Sequence, residues 1–359
     1  MKKNIILGIA LTLFGCTRTA IRYKLPDIEK MEFEYELPRL KMKLPTFLIY
    51  QGIYLNSIAA TRLDRYLKRI KNTEINCIVV DFKDAHGFVT YDTNVEFAKT
   101  IGAKIARLDI EEIVKKCEAH GIYLIGRIVV FKDSILANYN DGEFAIKNKE
   151  GKIWRDKHGS YWVNQYSREV WRYNIEIAKD IANRGVKEVQ FDYIRFPSRG
   201  DFESVDIGDV YDKEEAIAGF LKEARKVLSP IGVNVAGDLY GYTIWFPRLE
   251  REGQNLKKLA EYLDIVCPML YPSHFHDDFM ARKNPREYHI VYESLVRGDS
   301  LLGENKLVAY IQGFNLRSPN FGPEYIENQI KAVRDAHVLG YIVWNARSNY
   351  RLLWELLDK

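Results

Sequence analysis

Residues 189–197 read Val189-Gln190-Phe191-Asp192-Tyr193-Ile194-Arg195-Phe196-Pro197. The apolar start is typical of a buried parallel strand. A carboxylate, a guanidinium and aromatic rings follow within a few residues, and the proline ends the strand. A charge at the end of a buried strand has to be paired, solvated or used. Since the carboxyl ends of the strands line the active site in parallel α/β folds, Asp192 and Arg195 are either a structural ion pair or part of a site.

Seven more apolar runs alternate with amphipathic helical segments on either side of this stretch. They cover residues 47–54, 77–84, 123–131, 233–240, 265–271, 307–312 and 340–345. The runs are apolar on both faces, as in a sheet covered by helices, and the strand-to-helix alternation implies parallel crossovers. Eight such units over about 315 residues favour a (β/α)8 TIM barrel. The alternative is an open doubly wound sheet, which usually has a glycine-rich phosphate turn after the first strand; here that turn has one glycine, Gly52.

A long insertion is predicted between the third strand and the third helix, from about Lys132 to Gln165. It contains Lys149-Glu150-Gly151-Lys152, which is typical of a hairpin turn. Loops of this length are usually functional or disordered. Trp154 and Trp162 argue against disorder.

The N-terminus resembles a bacterial lipoprotein signal. Lys2 and Lys3 precede a short apolar run, and Leu13-Phe14-Gly15-Cys16 resembles a lipobox. We expect a signal peptide over residues 1–15, a lipidated Cys16, a proline-rich and charged membrane tether over residues 16–44, and a barrel domain over residues 45–359. The protein would then be an exported lipoprotein, anchored through its lipid and facing the periplasm or the cell exterior. An ordinary secretion signal with an incidental cysteine is the alternative.

Composition excludes several other classes of protein. The chain has 53 basic and 49 acidic residues and a net charge of +4, a balance that gives no support to nucleic-acid binding. Cys77, Cys117 and Cys267 are odd in number and lie in apolar segments, so we interpret them as small buried hydrophobes. No zinc-ligand spacing occurs, and no metal or cofactor is predicted.

Polar side chains collect at the carboxyl ends of the predicted strands, which a closed barrel would bring to one mouth. They are Asp81, Lys83, Asp84, Arg127, Lys132, Asp192, Arg195, Asp238, Tyr240, Tyr271, His274, His276, Gln312, Trp344, Asn345 and Arg347.

The chemistry that fits these groups is glycoside hydrolysis by two carboxylates, since the sequence has no nucleophile elbow and no Walker loop. Arg195 beside Asp192 would keep Asp192 ionised, as the nucleophile or base. Partial burial would raise the pKa of Asp238, as a proton donor needs; a helix cap is the alternative role for Asp238. Asp84 or Asp81 could fill either catalytic role.

The remaining polar residues are predicted substrate contacts. Trp344 would stack under a sugar ring or belong to the core. His274 would bind a sugar hydroxyl or be an ordinary loop histidine. The full predicted set is Asp81, Lys83, Arg195, Tyr240, Tyr271, His274, Gln312, Trp344 and Asn345.

The segment Phe191-Asp192-Tyr193-Ile194-Arg195-Phe196-Pro197 resembles the signature of a bacterial family of glycoside hydrolases related to the α-amylase-like barrels. The resemblance extends over most of residues 47–350 and includes residues 80–84, 268–274 and 340–345. It implies a barrel, an extracytoplasmic setting and a carbohydrate substrate. In α-amylase-like enzymes a strand-four Asp is the nucleophile, which Asp192 matches, and a strand-five Glu is the acid, which Asp238 would replace with a shorter side chain. Met269, Tyr271 and Trp344 are also similar to chitinase-like barrels, whose strand-four acids are absent here.

Two functions that involve glycans therefore remain open, beside a third, a scaffold or adhesin that binds protein and would expose large apolar patches away from the mouth. The first is a membrane-anchored hydrolase of an extracytoplasmic polysaccharide, with retention of configuration favoured because neighbouring strand ends bring carboxyl groups close together. The second is a glycan-binding lipoprotein with a degenerate, non-catalytic barrel site.

Overall fold

The computed structural model describes residues 49–206, 212–303 and 306–358. Cys16 and the signal peptide and tether expected over residues 1–44 lie outside these ranges. Eight parallel strands form the centre of the fold. They are β1 Tyr50–Leu55, β2 Cys77–Lys83, β3 Tyr123–Val129, β4 Glu188–Asp192, β5 Asn234–Tyr240, β6 Ile265–Met269, β7 Val308–Gln312 and β8 Gly340–Trp344.

The sheet is a closed ring, which confirms the predicted (β/α)8 barrel. Each strand pairs in parallel with the next along the chain, and β8 pairs with β1. Gly340 permits this closure. Its φ is +135°, and a Cβ there would lie 1.9 Å from the carbonyl oxygen of Tyr50, so no larger residue fits at this point of the seam.

Helices follow the strands and cover the outside of the ring. They are α1 Leu63–Ile70, α2 Ile110–Ala119, α3 Arg168–Asn183, α4 Lys213–Leu228, α5 Leu256–Ala260, α6 Arg286–Leu302, α7 Pro323–Asp335 and α8 Arg351–Leu357, with short helices at Ser57–Ala60, Glu96–Thr100 and Ser134–Asn138. Polar caps begin several of them: Asp109 accepts from the amide of Glu112 at 2.9 Å, and Ser167 accepts from that of Val170 at 3.3 Å. None of the helices in the described ranges has the length and apolar character needed to cross a bilayer.

The insertions carry short strands that periodicity did not predict. Val89–Tyr91 and Lys104–Leu108 extend the sheet beside β2. In the long β3–α3 insertion the expected hairpin turn is present, because the Gly151 amide donates to the Asn148 carbonyl at 2.8 Å. Lys147–Asn148 also pairs with Val205–Asp206, so this insertion is tied to the segment after β4.

Two apolar cores result from this arrangement. The larger lies between the strands and the helices. The smaller fills the barrel itself, and its buried members are Tyr50, Tyr54, Cys77, Val79, Ile125, Ala236, Ile265, Cys267, Tyr271, Val308, Tyr310 and Ile342. Because side chains fill the lower barrel, only its carboxyl-terminal end is left for a polar site.

Candidate active site

Four charged side chains meet inside the barrel near its carboxyl-terminal end. The strand register sets Asp81 of β2 beside Arg127 of β3, and Val129 beside Asp192 at the end of β4. Asp238 of β5 lies beside Cys267 of β6. The side chains of Asp81, Asp192 and Asp238 are 6%, 8% and 2% exposed. We call Arg127 and these three carboxylates the charged cluster.

Arg127 organises the cluster because its guanidinium contacts all three carboxylates. Nη1 donates to Asp81 Oδ1 at 2.5 Å. Nη2 and Nε both donate to Asp192 Oδ2, the latter at 3.2 Å. Asp238 Oδ2 is farther away, 3.9 Å from Nε. No other cation in the described ranges lies within ion-pair distance of these carboxylates, so the cluster would carry two excess negative charges if all three were ionised.

Asp238 is the carboxyl group with the weakest compensation. Its Oδ1 atom is buried and has no hydrogen-bond partner among the described residues. Burial first, and then the nearby charge of Asp192, raise the pKa of Asp238 well above its usual range, against the opposing effect of Arg127. Asp238 is therefore the group that keeps a proton, which is the state that a proton donor requires.

Asp81 is held from two sides. Tyr54 donates its hydroxyl to Asp81 Oδ2 and Arg127 donates to Oδ1. Burial raises the pKa of Asp81, while Arg127 and the Tyr54 hydrogen bond oppose the rise. With both oxygens engaged, Asp81 positions Arg127.

Two aromatic rings cover the guanidinium. The Cζ atom of Arg127 lies 4.9 Å from the ring centre of Trp344 and 5.5 Å from that of Tyr54. These two rings are themselves 3.9 Å apart. Such contacts stabilise a cation that is out of water, so half-buried Trp344 lies directly beside the charged cluster.

Strained backbone follows Asp192. Tyr193 has a φ of +53°, in the left-handed region that non-glycine residues rarely adopt. In this conformation its amide donates to Asp192 Oδ1 at 2.5 Å. The turn thereby gives the carboxylate a third donor, beside Nε and Nη2 of Arg127, and local strain of this kind is typical of functional sites.

The expected pairing of Asp192 with Arg195 is not formed, because Arg127 takes that place. Arg195 instead stacks on Trp162, Tyr193 and Tyr240 at 4.6–5.0 Å. β4 ends at Asp192 and the chain turns at Tyr193, so Arg195, three positions after Asp192, lies beyond the strand.

Lys83 and Asp84 lie at the end of β2 and make local contacts. The Lys83 ammonium is buried in an ion pair with Asp133 at 2.8 Å and donates to the carbonyl oxygen of Val129 at 2.7 Å. Asp84 Oδ1 accepts from the amides of His86 and Phe88. Both side chains therefore hold loops beside the mouth.

Gln312 and Asn345 likewise organise loops at the mouth. The Gln312 amide donates to the carbonyls of Phe314 and Leu316 and to Ser318. Asn345 donates to the carbonyl oxygen of Gly313 at 2.7 Å. The amide groups of both side chains are occupied, so their arrangement shapes the rim.

Tyr240, Tyr271 and His274 lie on the rim itself. Burial first, and then the charges of Asp238 and Asp192, raise the pKa of Tyr271, so its ring adjoins the charged cluster. His274 is exposed and meets the Tyr271 ring edge to face at 5.2 Å. The Tyr240 hydroxyl is 3.0 Å from that of Ser198. This rim could contact a ligand above the acids.

Arg127 and Tyr54 are the residues whose importance the sequence did not reveal. Arg127 was visible as the one charge inside Tyr123-Leu124-Ile125-Gly126-Arg127-Ile128-Val129, and a buried charge needs partners. Its three carboxylate partners lie on other strands, and the sequence does not show which strand residues face each other.

In the described part of the chain, no three His, Cys, Asp or Glu side chains are arranged to hold a metal ion.

The chain is similar to one known protein family and to several solved structures. Residues 52–350 match the family described as "Putative glycosyl hydrolase domain". The glycoside hydrolase domain of PgaB (BpsB) from Bordetella bronchiseptica is similar in structure, with a TM-score of 0.64, 14% identity, and coverage of 86% of this chain and 99% of that one. The spore cortex-lytic enzyme SleL of Bacillus megaterium gives a TM-score of 0.52 at 12% identity, covering 86% and 73%. At these identities the likeness shows the fold alone.

A third solved structure has higher identity over a shorter stretch. A hypothetical protein from Ruminiclostridium thermocellum is 37% identical, and the match covers 52% of this chain and 96% of that one, with a TM-score of 0.47. No curated protein sequence matches this chain.

Proposed function

Because the chain belongs to the family of the "Putative glycosyl hydrolase domain", we propose that it hydrolyses a polysaccharide with Asp192 and Asp238 as its two catalytic carboxyl groups. One observation carries the assignment of roles: three carboxylates share one guanidinium unequally. Asp192 receives two donors from Arg127 and one from Tyr193, so it is the carboxylate. Asp238 has an unpartnered oxygen and a raised pKa, so it is the acid.

The proposed reaction follows from these two states. Asp238 gives its proton to the glycosidic oxygen as that bond breaks, and Asp192 attacks the anomeric carbon. Water, deprotonated by Asp238, then cleaves the glycosyl–enzyme ester. In the inverting alternative Asp192 deprotonates a water molecule that attacks directly.

Carboxyl separation allows both stereochemical courses. The Oδ2 atoms of Asp192 and Asp238 lie 3.2 Å and 3.9 Å from the same Nε of Arg127. They are therefore at most about 7 Å apart, a limit that admits the ~5 Å of retaining enzymes and the lower part of the ~6.5–9.5 Å range of inverting ones. We favour retention, because β4 and β5 are neighbours and a short side chain on each gives the closer spacing.

The setting of the enzyme is also part of the proposal. The sequence Leu13-Phe14-Gly15-Cys16 with its preceding lysines and apolar run supports lipidation at Cys16 and export. The substrate would then be a polysaccharide outside the cytoplasm. Metabolic labelling of the expressed chain with an alkyne fatty acid tests this: label is expected in the wild type and lost in Cys16→Ala.

A binding-only function is the second candidate, and the depth of the acids favours it. The side chain of Asp238 is only 2% exposed, which restricts access by a glycosidic oxygen.

Incubation of the purified full-length protein with bacterial and plant polysaccharides separates the two functions. New reducing ends, counted against an Asp192→Asn sample, are expected for at least one polysaccharide. Proton NMR of the first products would show the retained anomer. Binding to a polysaccharide that neither sample cleaves would support the second function instead.

A further inference from the structure

Arg195 is a buried cation without a carboxylate partner. It is 9% exposed, and its recorded hydrogen bond runs from Nη1 to the carbonyl oxygen of Phe196 at 3.0 Å. The other two buried cations in the described ranges, Lys83 and Arg127, are both ion-paired. Since buried charges are normally paired, the lack of a carboxylate partner for Arg195 has to be explained.

Aromatic rings account for part of its environment. The guanidinium lies 4.6 Å from the ring centre of Tyr240, 4.8 Å from Trp162 and 5.0 Å from Tyr193. Ring faces stabilise a cation, but they do not accept its in-plane N–H groups. The rings therefore hold the guanidinium in place and leave donors for an acceptor that the protein does not supply.

This position adjoins the two proposed catalytic acids. Tyr193 directly follows Asp192, and Tyr240 is two residues after Asp238 on β5. A sugar bound over the acids would therefore bring its ring substituents toward Arg195.

Neighbouring charges reinforce the positive character of this side of the rim. Lys132 lies 5.0 Å from the ring centre of Tyr193 and forms no ion pair with a described residue. The charge of Glu252 interacts with Arg195, but the two side chains form no ion pair. Burial raises the pKa of Glu252, and Arg195 opposes the rise.

We propose that Arg195 binds the carboxylate of an acidic sugar, which makes the substrate a polysaccharide that contains uronic acid. The planar guanidinium matches a carboxylate with two parallel hydrogen bonds. The inference rests on the proposed function for the place of the sugar, but it concerns recognition and does not require cleavage.

The test compares each acidic glycan with a neutral copy of itself. Oligosaccharides of polygalacturonate, alginate and hyaluronan, and the same oligosaccharides after carboxyl reduction, are titrated calorimetrically into the full-length Asp192→Asn protein to prevent turnover. At least one acidic member should bind 10-fold or more tightly than its reduced copy, the gain expected from a charge-assisted hydrogen bond. Arg195→Gln should bring that ratio close to one, and Arg195→Lys should give an intermediate ratio.

Arg297→Gln is the matched control. Arg297 also stacks on an aromatic ring, that of Trp245 at 5.4 Å, and donates to one carbonyl oxygen, that of Ile244, but it lies on the outer helix α6. Its loss should leave the ratio unchanged.

Equal binding of every acidic and reduced pair, no binding of any acidic member, or a preference that survives in Arg195→Gln would each overturn the inference. If Arg195→Gln does not fold, the inference is still decided by two measurements: binding of each glycan pair to the Asp192→Asn protein that keeps Arg195, and binding to Arg195→Lys. An acid preference in Asp192→Asn, combined with wild-type protein that cleaves none of the acidic glycans it binds, would instead count against the hydrolase and leave the carboxylate site standing.

Discussion

Arg127 donates to Asp192 from two nitrogen atoms, Nε and Nη2, and both bonds end on the same Oδ2 atom. The third nitrogen, Nη1, is directed at Asp81. One side chain from β3 thus fixes carboxylates from the strands on both sides. This shared guanidinium sets the charge state of the whole site, and most of the expected behaviour of the protein follows from it.

Removal of this cation should destabilise the fold. In Arg127→Met, Asp81 and Asp192 lose the cation that they share, and the loss of one partner of a buried ion pair typically costs about 3–5 kcal/mol of unfolding free energy. Urea unfolding at pH 7 measures the loss, and the loss should shrink as the pH falls, because burial raises the pKa of Asp81 and a protonated Asp81 no longer needs a cation. Arg297→Met, on an exposed arginine of α6 that makes one hydrogen bond to a neutral carbonyl, should cost only about 1 kcal/mol. A loss of under 1 kcal/mol in Arg127→Met would contradict the described cluster.

The Tyr54 hydroxyl should contribute more than an ordinary tyrosine hydroxyl does. It donates to the buried carboxylate of Asp81, and hydrogen bonds to charged groups contribute about 1.5–3 kcal/mol. Tyr54→Phe should therefore lower the unfolding free energy by that amount. Tyr66→Phe is the control, because the Tyr66 hydroxyl donates to the neutral carbonyl of Ser348 at 3.0 Å and should contribute about 1 kcal/mol. Equal losses in the two variants would argue against a charged Asp81.

Glu188 at the barrel floor should make stability depend on pH near neutrality. Burial raises its pKa from 4.5 to about 7, while hydrogen bonds from Tyr50 and Tyr123 oppose the rise. The folded state therefore holds a proton that the unfolded state releases, so this contribution is complete below pH 4.5 and is lost as pH rises through 7. Glu188→Gln should remove up to about 3 kcal/mol of that pH dependence. If the unfolding free energies of wild type and Glu188→Gln change in parallel between pH 5 and pH 8, Glu188 is not the source of the pH dependence.

Asp238 should add a second dependence of the same sign. Its pKa is raised by burial and by Asp192, so keeping Asp238 uncharged favours folding at low pH, and the cost of ionising it grows as pH rises. Asp238→Asn has nearly the same shape and cannot ionise. Its unfolding free energy should therefore increase relative to the wild type as pH goes from 5 to 9. A constant difference across that range would mean that Asp238 is ionised in the native protein.

The fold could be predicted because its signal is local. An apolar run such as Ile265-Val266-Cys267-Pro268-Met269 can be recognised as a strand from its own residues. Eight such strands separated by helices close into a barrel. The short strands Val89–Tyr91 and Lys104–Leu108 escaped prediction, because the first has only three residues and the second carries Lys104 and Arg107, so neither is an apolar run.

The contacts within the site could be predicted only in part. Strand order brought Asp81, Asp192 and Asp238 to one end of the barrel, since parallel strands end together. The partner of Asp192 could not be predicted in this way. Nearness in sequence favoured Arg195, whereas the register between β3 and β4 places Arg127 beside Asp192. Which residues of two strands come into contact depends on the register between the strands. The sequence of one strand does not reveal that register.

The measurement that tests the central claim most directly is a kinetic comparison of wild type, Asp192→Asn and Asp238→Asn. It uses the polysaccharide that the protein cleaves and a 4-nitrophenyl glycoside of the same sugar. We predict that Asp192→Asn lowers kcat by about 10²–10⁴-fold on both substrates. Asp238→Asn should do so on the polysaccharide alone, because nitrophenolate leaves without a proton. Cleavage by Asp192→Asn within tenfold of the wild-type rate would contradict the two-carboxylate assignment.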